Sequence, residues 1–374
     1  MAGGELPQAW PDEVGVDSRE LVSLSQWIRE QKLDVRSFLV IKDGKLVFER
    51  YGGGLTRDHN YELYSITKGV TSLVAGQLIG DGRVHLDDKV GTVLGTWRPD
   101  LAGMFADKQD IELRHVLTMS TGLRYDFKPP NDPIYYEAPD RLYLAATTQP
   151  IIPPGSVFEY MDINPVIAAA MLSAGAGMPL EKHAEERLFK PLEMRNYAWD
   201  RADSKGLVSS GWGLRLRAVD MGKIGMLALN GGRWQGKQVV PEAWVRQMTS
   251  PGVVPYFGYY WWIKNVAEGG VEGGSEPEFD TMGFKGQFIV VLPERNAVVV
   301  MTSMLPIEGG LRDAKNLQMF RYMVGHYVLP ALANRNKVSP SEEARSALID
   351  ELRVSANTTG IPGAPADPTD TPRK

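Results

Sequence analysis

The chain has 374 residues, 43% of them hydrophobic and 23% charged, a length and balance that suit a soluble protein with a sizeable core in one large domain or two interleaved ones. Its formal net charge is −5, with no block of Lys and Arg, which argues against a nucleic-acid partner. With no cysteine, disulfides, thiolate catalysis and Cys-ligated metal sites are excluded.

No window approaches 18 to 20 uninterrupted apolar residues, so no membrane-spanning helix is expected. Residues Met1 to Trp10 lack a basic region followed by an apolar one. The compartment therefore stays open: cytoplasmic for a full-length chain, periplasmic or secreted if a signal has been removed. The sequence leaves oligomeric state undetermined.

In chain order, Ser37 to Ile41 and Leu46 to Tyr51 are β-type runs flanking Lys42-Asp43-Gly44-Lys45, and Asp-Gly between such runs predicts a hairpin. Helical spacing follows over Ser65 to Ile79, Leu113 to Met119, Asn164 to Ala174, Leu180 to Leu188, Val219 to Leu229 and Pro241 to Met248. A second hairpin is predicted from Phe288 to Leu292 and Ala297 to Ser303 around Pro293-Glu294-Arg295-Asn296. Val298-Val299-Val300 reads as a strand buried on both faces. Leu311 to Leu332 again has helical spacing. Strands at both ends with helices between predict an α+β fold: an antiparallel sheet built from both chain termini, flanked by helices, with an inserted, mainly helical domain. The expected division is 12–64 with 206–335 for the sheet domain, 65–205 for the helical domain and 336–374 for a C-terminal tail. The tail's Pro, Thr, Asp and Gly content predicts disorder after about 354.

The first chemical motif is Ser65-Ile66-Thr67-Lys68. At a helix N-terminus, a serine and the residue three positions on share one face. The hydroxyl then gains a favourable helix dipole, free backbone N–H groups and a basic nitrogen within reach. The alternative role for a serine that opens a helix is an N-cap. Ile66, Val70, Leu73, Val74 and Leu78 supply the helix's apolar stripe, and Gly80-Asp81-Gly82 stops it.

Tyr64-Ser65-Ile66-Thr67-Lys68-Gly69-Val70-Thr71-Ser72 resembles the nucleophile segment of class C β-lactamase-like serine hydrolases, a group that includes penicillin-binding DD-peptidases, family VIII esterases and 6-aminohexanoate-dimer hydrolases. Four further segments resemble the family in order: Val84 to Val90, His115 to Leu123, Pro154 to Tyr160, and Gly283 to Gln287 followed by Pro293-Glu294. The resemblance runs from about residue 12 to 330 and implies a β-lactamase/transpeptidase-like fold. It also implies a Tyr-x-Asn motif, here Tyr160-Met161-Asp162, in which Tyr160 relays the proton between Ser65 and the leaving group. Tyrosine needs an adjacent positive charge to act as a base near neutrality, and Lys68 would supply it. An ionised Asp162 would hold Lys68 protonated, which favours Tyr160 as general base with Lys68 as its electrostatic support.

The family's Lys-Thr-Gly or His-x-Gly strand is expected at Gly283-Phe284-Lys285-Gly286-Gln287. Phe284 then takes the cationic position, and Lys285 the middle one unless a bulge turns it inward. Gly286 would let the strand approach substrate. The N–H groups of Ser65 and Gln287 would form the oxyanion hole, each such donor contributing about 2.7 to 4 kcal/mol to transition-state stabilisation. Phe284 and the aromatic run Tyr256 to Trp262 suggest a neutral or apolar acyl group. The five histidines are dispersed, so neither metal nor other cofactor is expected. The expected function is hydrolysis of a small-molecule ester or short amide through an acyl-enzyme. The alternatives are DD-peptidase or β-lactamase activity, or a non-catalytic binding protein of the same fold.

Overall fold

The computed structural model of the protein describes residues 5–128, 132–136, 138–265, 276–306, 314–333 and 338–357. Its strands of three residues or more are β1 (Val35–Lys42), β2 (Lys45–Tyr51), β3 (Asn60–Glu62), β4 (Leu214–Arg217), β5 (Trp262–Asn265), β6 (Pro277–Gly283), β7 (Gln287–Leu292) and β8 (Ala297–Ser303). Six of them form one antiparallel sheet in the order β2-β1-β8-β7-β6-β5. The pairing of β1 with β8 joins the two ends of the chain, as the sequence pattern predicts. In the β1–β2 hairpin, Asp43 (φ 51°) and Gly44 (φ 76°) both take the left-handed conformation that a two-residue turn demands.

Every residue of β1 and β8 is buried, because helices cover both faces of the sheet. Period-two alternation sends Leu39, Ile41, Ile289, Val291, Val298 and Val300 to one face. Phe38, Val40, Phe288, Val290, Val299 and Met301 point to the other. The first face packs against α2 (Ile66–Gly80) and the helix Ala218–Leu229. The second packs against α1 (Ser18–Glu30) and the helix Ala314–Met323.

The segment Glu342–Ala356, read as the start of a tail, forms a helix docked on α1. Its anchors are polar: Glu351 accepts from Ser25 Oγ at 2.8 Å and from Arg29 Nη2 at 2.9 Å, and Arg345 pairs with Asp12 at 2.9 Å. Little apolar periodicity announces such a helix. Residues 358–374 and 311–313, on which parts of the tail and helix readings fall, lie outside the described residues.

Helix α2 is buried from Ile66 to Leu78, so it is a core helix covered all round rather than a stripe on a surface. Its glycines set how closely its neighbours approach. A Cβ on Gly76 would lie 2.0 Å from Trp244 Cδ1, and that indole is fixed by its own bond to Ser72 O at 2.8 Å. Gly76→Val is therefore expected to lose about 1 to 3 kcal/mol through overpacking, read as a lower midpoint in urea unfolding. An unchanged midpoint would show that the indole yields freely.

Candidate active site

The site is built on the connection between β3 and α2. β3 pairs with β4, and Leu63 N–H continues the pairing by donating to Leu214 O at 2.9 Å. Tyr64 then adopts φ 48°, a left-handed conformation that costs a non-glycine residue energy and persists only where surrounding structure holds it. That turn swings the chain from strand into helix and presents Ser65. The Ser65 side chain makes no capping hydrogen bond, which removes the N-cap explanation for a serine at this position.

Lys68, one turn into α2, donates to Ser65 Oγ at 2.9 Å and to Gly211 O at 3.1 Å, and it forms an ion pair with Asp162 Oδ1 at 2.8 Å. Its ammonium also lies 4.9 Å from the centre of the Tyr160 ring. The lysine side chain is 2% exposed, whereas Tyr160 is 38% exposed, so the amine is covered and the phenol faces the opening. Asp162 stands at the start of the helix Ile163–Ala176 without capping it, and its other oxygen accepts from the Tyr135 hydroxyl. Three segments distant in sequence thus converge on one ammonium. Burial alone disfavours that charge, but the Asp162 carboxylate and the Tyr160 hydroxyl outweigh it and lift the Lys68 pKa above its ordinary value.

The segment Gly283 to Gln287 departs from its predicted form. It is the tight turn joining β6 to β7, with Lys285 at φ 62° and Gly286 at φ 92°, not a strand along the cleft. Gly286 packs inward, where a Cβ would lie 2.3 Å from Ser303 Oγ, and so gives no access to substrate. The Lys285 carbonyl is held by Ser303 Oγ at 2.7 Å and Leu305 N–H at 3.1 Å, which makes it a turn residue rather than a strand bulge. Gln287 opens β7, paired with Gly283; its buried amide donates to Phe284 O at 3.1 Å and Ser303 O at 2.6 Å. These bonds lock the turn from behind; the Gln287 backbone, whose N–H is the expected oxyanion donor, instead pairs with Gly283 in the β6–β7 ladder.

The residues that approach the start of α2 lie on β6 and just after it. A Cβ on Gly283 would come within 2.2 Å of Leu63 O, and one on Gly69 within 2.8 Å of Thr281 Oγ1, so two glycines let β6 close on the start of α2. The Phe284 ring then packs edge-on against Tyr64 at 5.5 Å. Among the described residues, the N–H groups of Ser65 and Phe284 have no hydrogen-bond partner. Sequence reading also missed Gly211 and Tyr135. The small-residue run Ser209-Ser210-Gly211 before β4 is a signal for the first; nothing periodic marks the second.

Comparison with known proteins agrees with this architecture. The family described as Beta-lactamase matches residues 28–322, so the chain belongs to the beta-lactamase family, whose members include hydrolases. The 6-aminohexanoate-dimer hydrolase of Paenarthrobacter ureafaciens is 25% identical over 314 residues, covering 76% of each chain. Among solved structures, EstCE1, a hydrolase with promiscuous acyltransferase activity, aligns at TM-score 0.65 with 18% identity, covering 82% of this chain and 99% of its own. The octameric penicillin-binding protein homologue from Pyrococcus abyssi aligns at TM-score 0.63 with 18% identity, covering 86% and 79%. At these identities the solved structures speak for the fold. Among the described residues, no single helix is long and apolar enough to cross a membrane.

Proposed function

We propose that the chain is a serine hydrolase that cleaves small-molecule esters or short linear amides through an acyl-enzyme on Ser65. The observation that carries this reading is a single buried ammonium, Lys68, in contact with the Ser65 hydroxyl at 2.9 Å, paired with Asp162 at 2.8 Å and lying beneath the Tyr160 ring. While protonated, Lys68 cannot accept the Ser65 proton. Tyr160, stabilised as a phenolate by that ammonium, takes it instead while Ser65 Oγ attacks the carbonyl. The oxyanion that forms is received by the N–H groups of Ser65 and Phe284. Tyr160 then hands the proton to the leaving oxygen or nitrogen as that bond breaks. A water molecule, activated by Tyr160 in the same way, releases the acyl group and regenerates Ser65.

Within this class, esterase or 6-aminohexanoate-oligomer-hydrolase-like activity is favoured over β-lactamase or DD-peptidase activity. Neither Thr281 nor Gly283, through which β6 closes on the start of α2, carries a positive charge, and this leaves the substrate carboxylate common to those two activities without a cationic partner there. The likeness to the 6-aminohexanoate-dimer hydrolase supports the same choice. The test is incubation with a fluorophosphonate probe and mass mapping of the adduct, together with a panel of short esters, linear amides, D-Ala-D-Ala peptides and nitrocefin. Labelling on Ser65 that vanishes in Ser65→Ala, with turnover of esters or linear amides, is the expected result. Absence of both labelling and turnover would leave a binding protein of the same fold, and preferential turnover of nitrocefin or D-Ala-D-Ala would overturn the substrate assignment.

A further inference from the structure

The aromatic run Tyr256 to Trp262 divides in the fold. Phe257, Tyr260 and Trp261 are buried in the core, whereas Tyr256 is 46% exposed and Trp262 is only partly covered. The two outward rings continue the ring of Tyr160. Tyr160 lies on Trp262 at 5.8 Å with planes 22° apart, and Trp262 lies beside Tyr256 at 6.5 Å with planes 10° apart. Three near-parallel rings thus form an aromatic ledge that begins at the proposed proton relay and ends at the exposed Tyr256. Phe158 braces it edge-on, meeting Tyr256 at 5.7 Å and Trp262 at 6.3 Å. Val157 and Val253, from the two loops that carry these rings, are both exposed.

Among the described residues the charges beside the ledge are paired: Lys68, 4.9 Å from the centre of the Tyr160 ring, is bound to Asp162 at 2.8 Å. Lys264 approaches the Trp262 ring at 5.7 Å but is bound to Asp280 at 2.8 Å, and Glu159, between Phe158 and Tyr160, pairs with Arg124 at 3.3 Å. Near-parallel aromatic rings at the surface, with the charges beside them paired among the described residues, suit an extended apolar group.

We infer that this ledge is the subsite for the leaving group, and that the preferred substrates carry an extended alkyl or aryl group on the alcohol or amine side of the scissile bond. The inference rests on the hydrolase reading above. Its direction follows from the relay. The group that delivers a proton to the leaving atom stands within hydrogen-bond reach of that atom. The surface that continues from the ring of Tyr160 therefore receives whatever that atom carries, and the acyl part extends the other way from the carbonyl.

The experiment compares two ester series on the intact protein. Ethyl, butyl and octyl acetate vary the alcohol and share one acetyl-enzyme; p-nitrophenyl acetate, butyrate and octanoate vary the acyl group and share one leaving group. Because kcat/KM reports only steps up to acyl-enzyme formation, it is expected to rise at least about tenfold from ethyl to octyl acetate, while kcat approaches a common value set by deacylation. Tyr256→Ala is expected to remove most of the octyl advantage and to lower the p-nitrophenyl series by one common factor, with its dependence on acyl length unchanged, and Tyr256→Phe is expected to restore both. A flat alcohol series, or a Tyr256→Ala effect confined to the acyl series, overturns the assignment while leaving the hydrolase reading intact. Failure of the hydrolase reading is a different result: no ester is turned over and Ser65 takes no label.

Discussion

Asp162→Asn is expected to move the alkaline limb of the pH–kcat/KM profile to lower pH, and Lys68→Met to lower kcat/KM by about 10³-fold across the profile. The direction follows from the forces on the ammonium. Burial opposes its charge; the Asp162 carboxylate and Tyr160 oppose burial and prevail, so the Lys68 pKa lies above its ordinary value. Without the carboxylate, burial acts with less opposition, the pKa falls, and the ammonium is lost at lower pH. If protonated Lys68 supports a Tyr160 phenolate, activity is lost with it. If neutral Lys68 were the base, the same substitution would raise activity near neutrality, because more of the lysine would be deprotonated there. The two mechanisms therefore predict shifts of opposite sign. Titrating the variant and the parent from pH 6 to 11 separates them, and an unchanged profile would exclude both roles for the pair. The same ion pair also stabilises the fold. A raised pKa contributes stability that is fully present below the unfolded-state lysine value, about 10.4, and is lost as pH rises through the higher folded-state value.

The chemistry at one end of α2 was legible because it is local. Ser65 and Lys68 share a helix face by spacing alone, and the apolar residues around them fix that helix in the core. Hairpins with Asp-Gly and Pro-Glu-Arg-Asn connections were legible for the same reason: turn chemistry is written within four residues. The approach of Asp162 and Tyr160 to Lys68 was expected from resemblance, not from spacing. The partners that the sequence hid are contacts of the tertiary fold. Gly211 serves through its carbonyl, which any residue carries, and Tyr135 through a hydroxyl aimed from the short helix Pro133–Tyr136. The misreading of Gly283 to Gln287 has a specific cause. Both glycines of that segment fit a strand approaching substrate, but Gly286 is required by its left-handed turn conformation. It is Gly283 that a neighbouring carbonyl forbids to carry a side chain.

Asp220→Ala is expected to lower unfolding stability by about 3 to 5 kcal/mol, although Asp220 touches none of the catalytic groups. It is fully buried at the first turn of the helix Ala218–Leu229, bound at 2.8 Å both to Arg217 Nε and to Lys223 Nζ. Arg217 keeps a second carboxylate, Glu5 at 3.2 Å; in the intact protein burial is outweighed by Asp220 and Glu5 together, which hold its pKa above the ordinary value. Among the described residues Lys223 then keeps only the Glu193 carbonyl at 2.9 Å, so truncating Asp220 strands a fully buried ammonium. An unpaired buried charge, rather than lost packing, would then account for most of the cost. The double variant Asp220→Ala with Lys223→Met is accordingly expected to recover a large part of the stability in urea unfolding, since well-packed apolar groups replace buried ion pairs with little loss. A double variant no better than Asp220→Ala would assign the loss to packing instead. The consequence for catalysis runs through β4. Arg217 pairs with Asn60 of β3, and Leu214 holds Leu63 immediately before Tyr64 and Ser65, so loosening this charged knot frees the strand pair that presents the nucleophile. At temperatures where the single variant remains folded, kcat is therefore expected to fall and to recover alongside stability in the double variant.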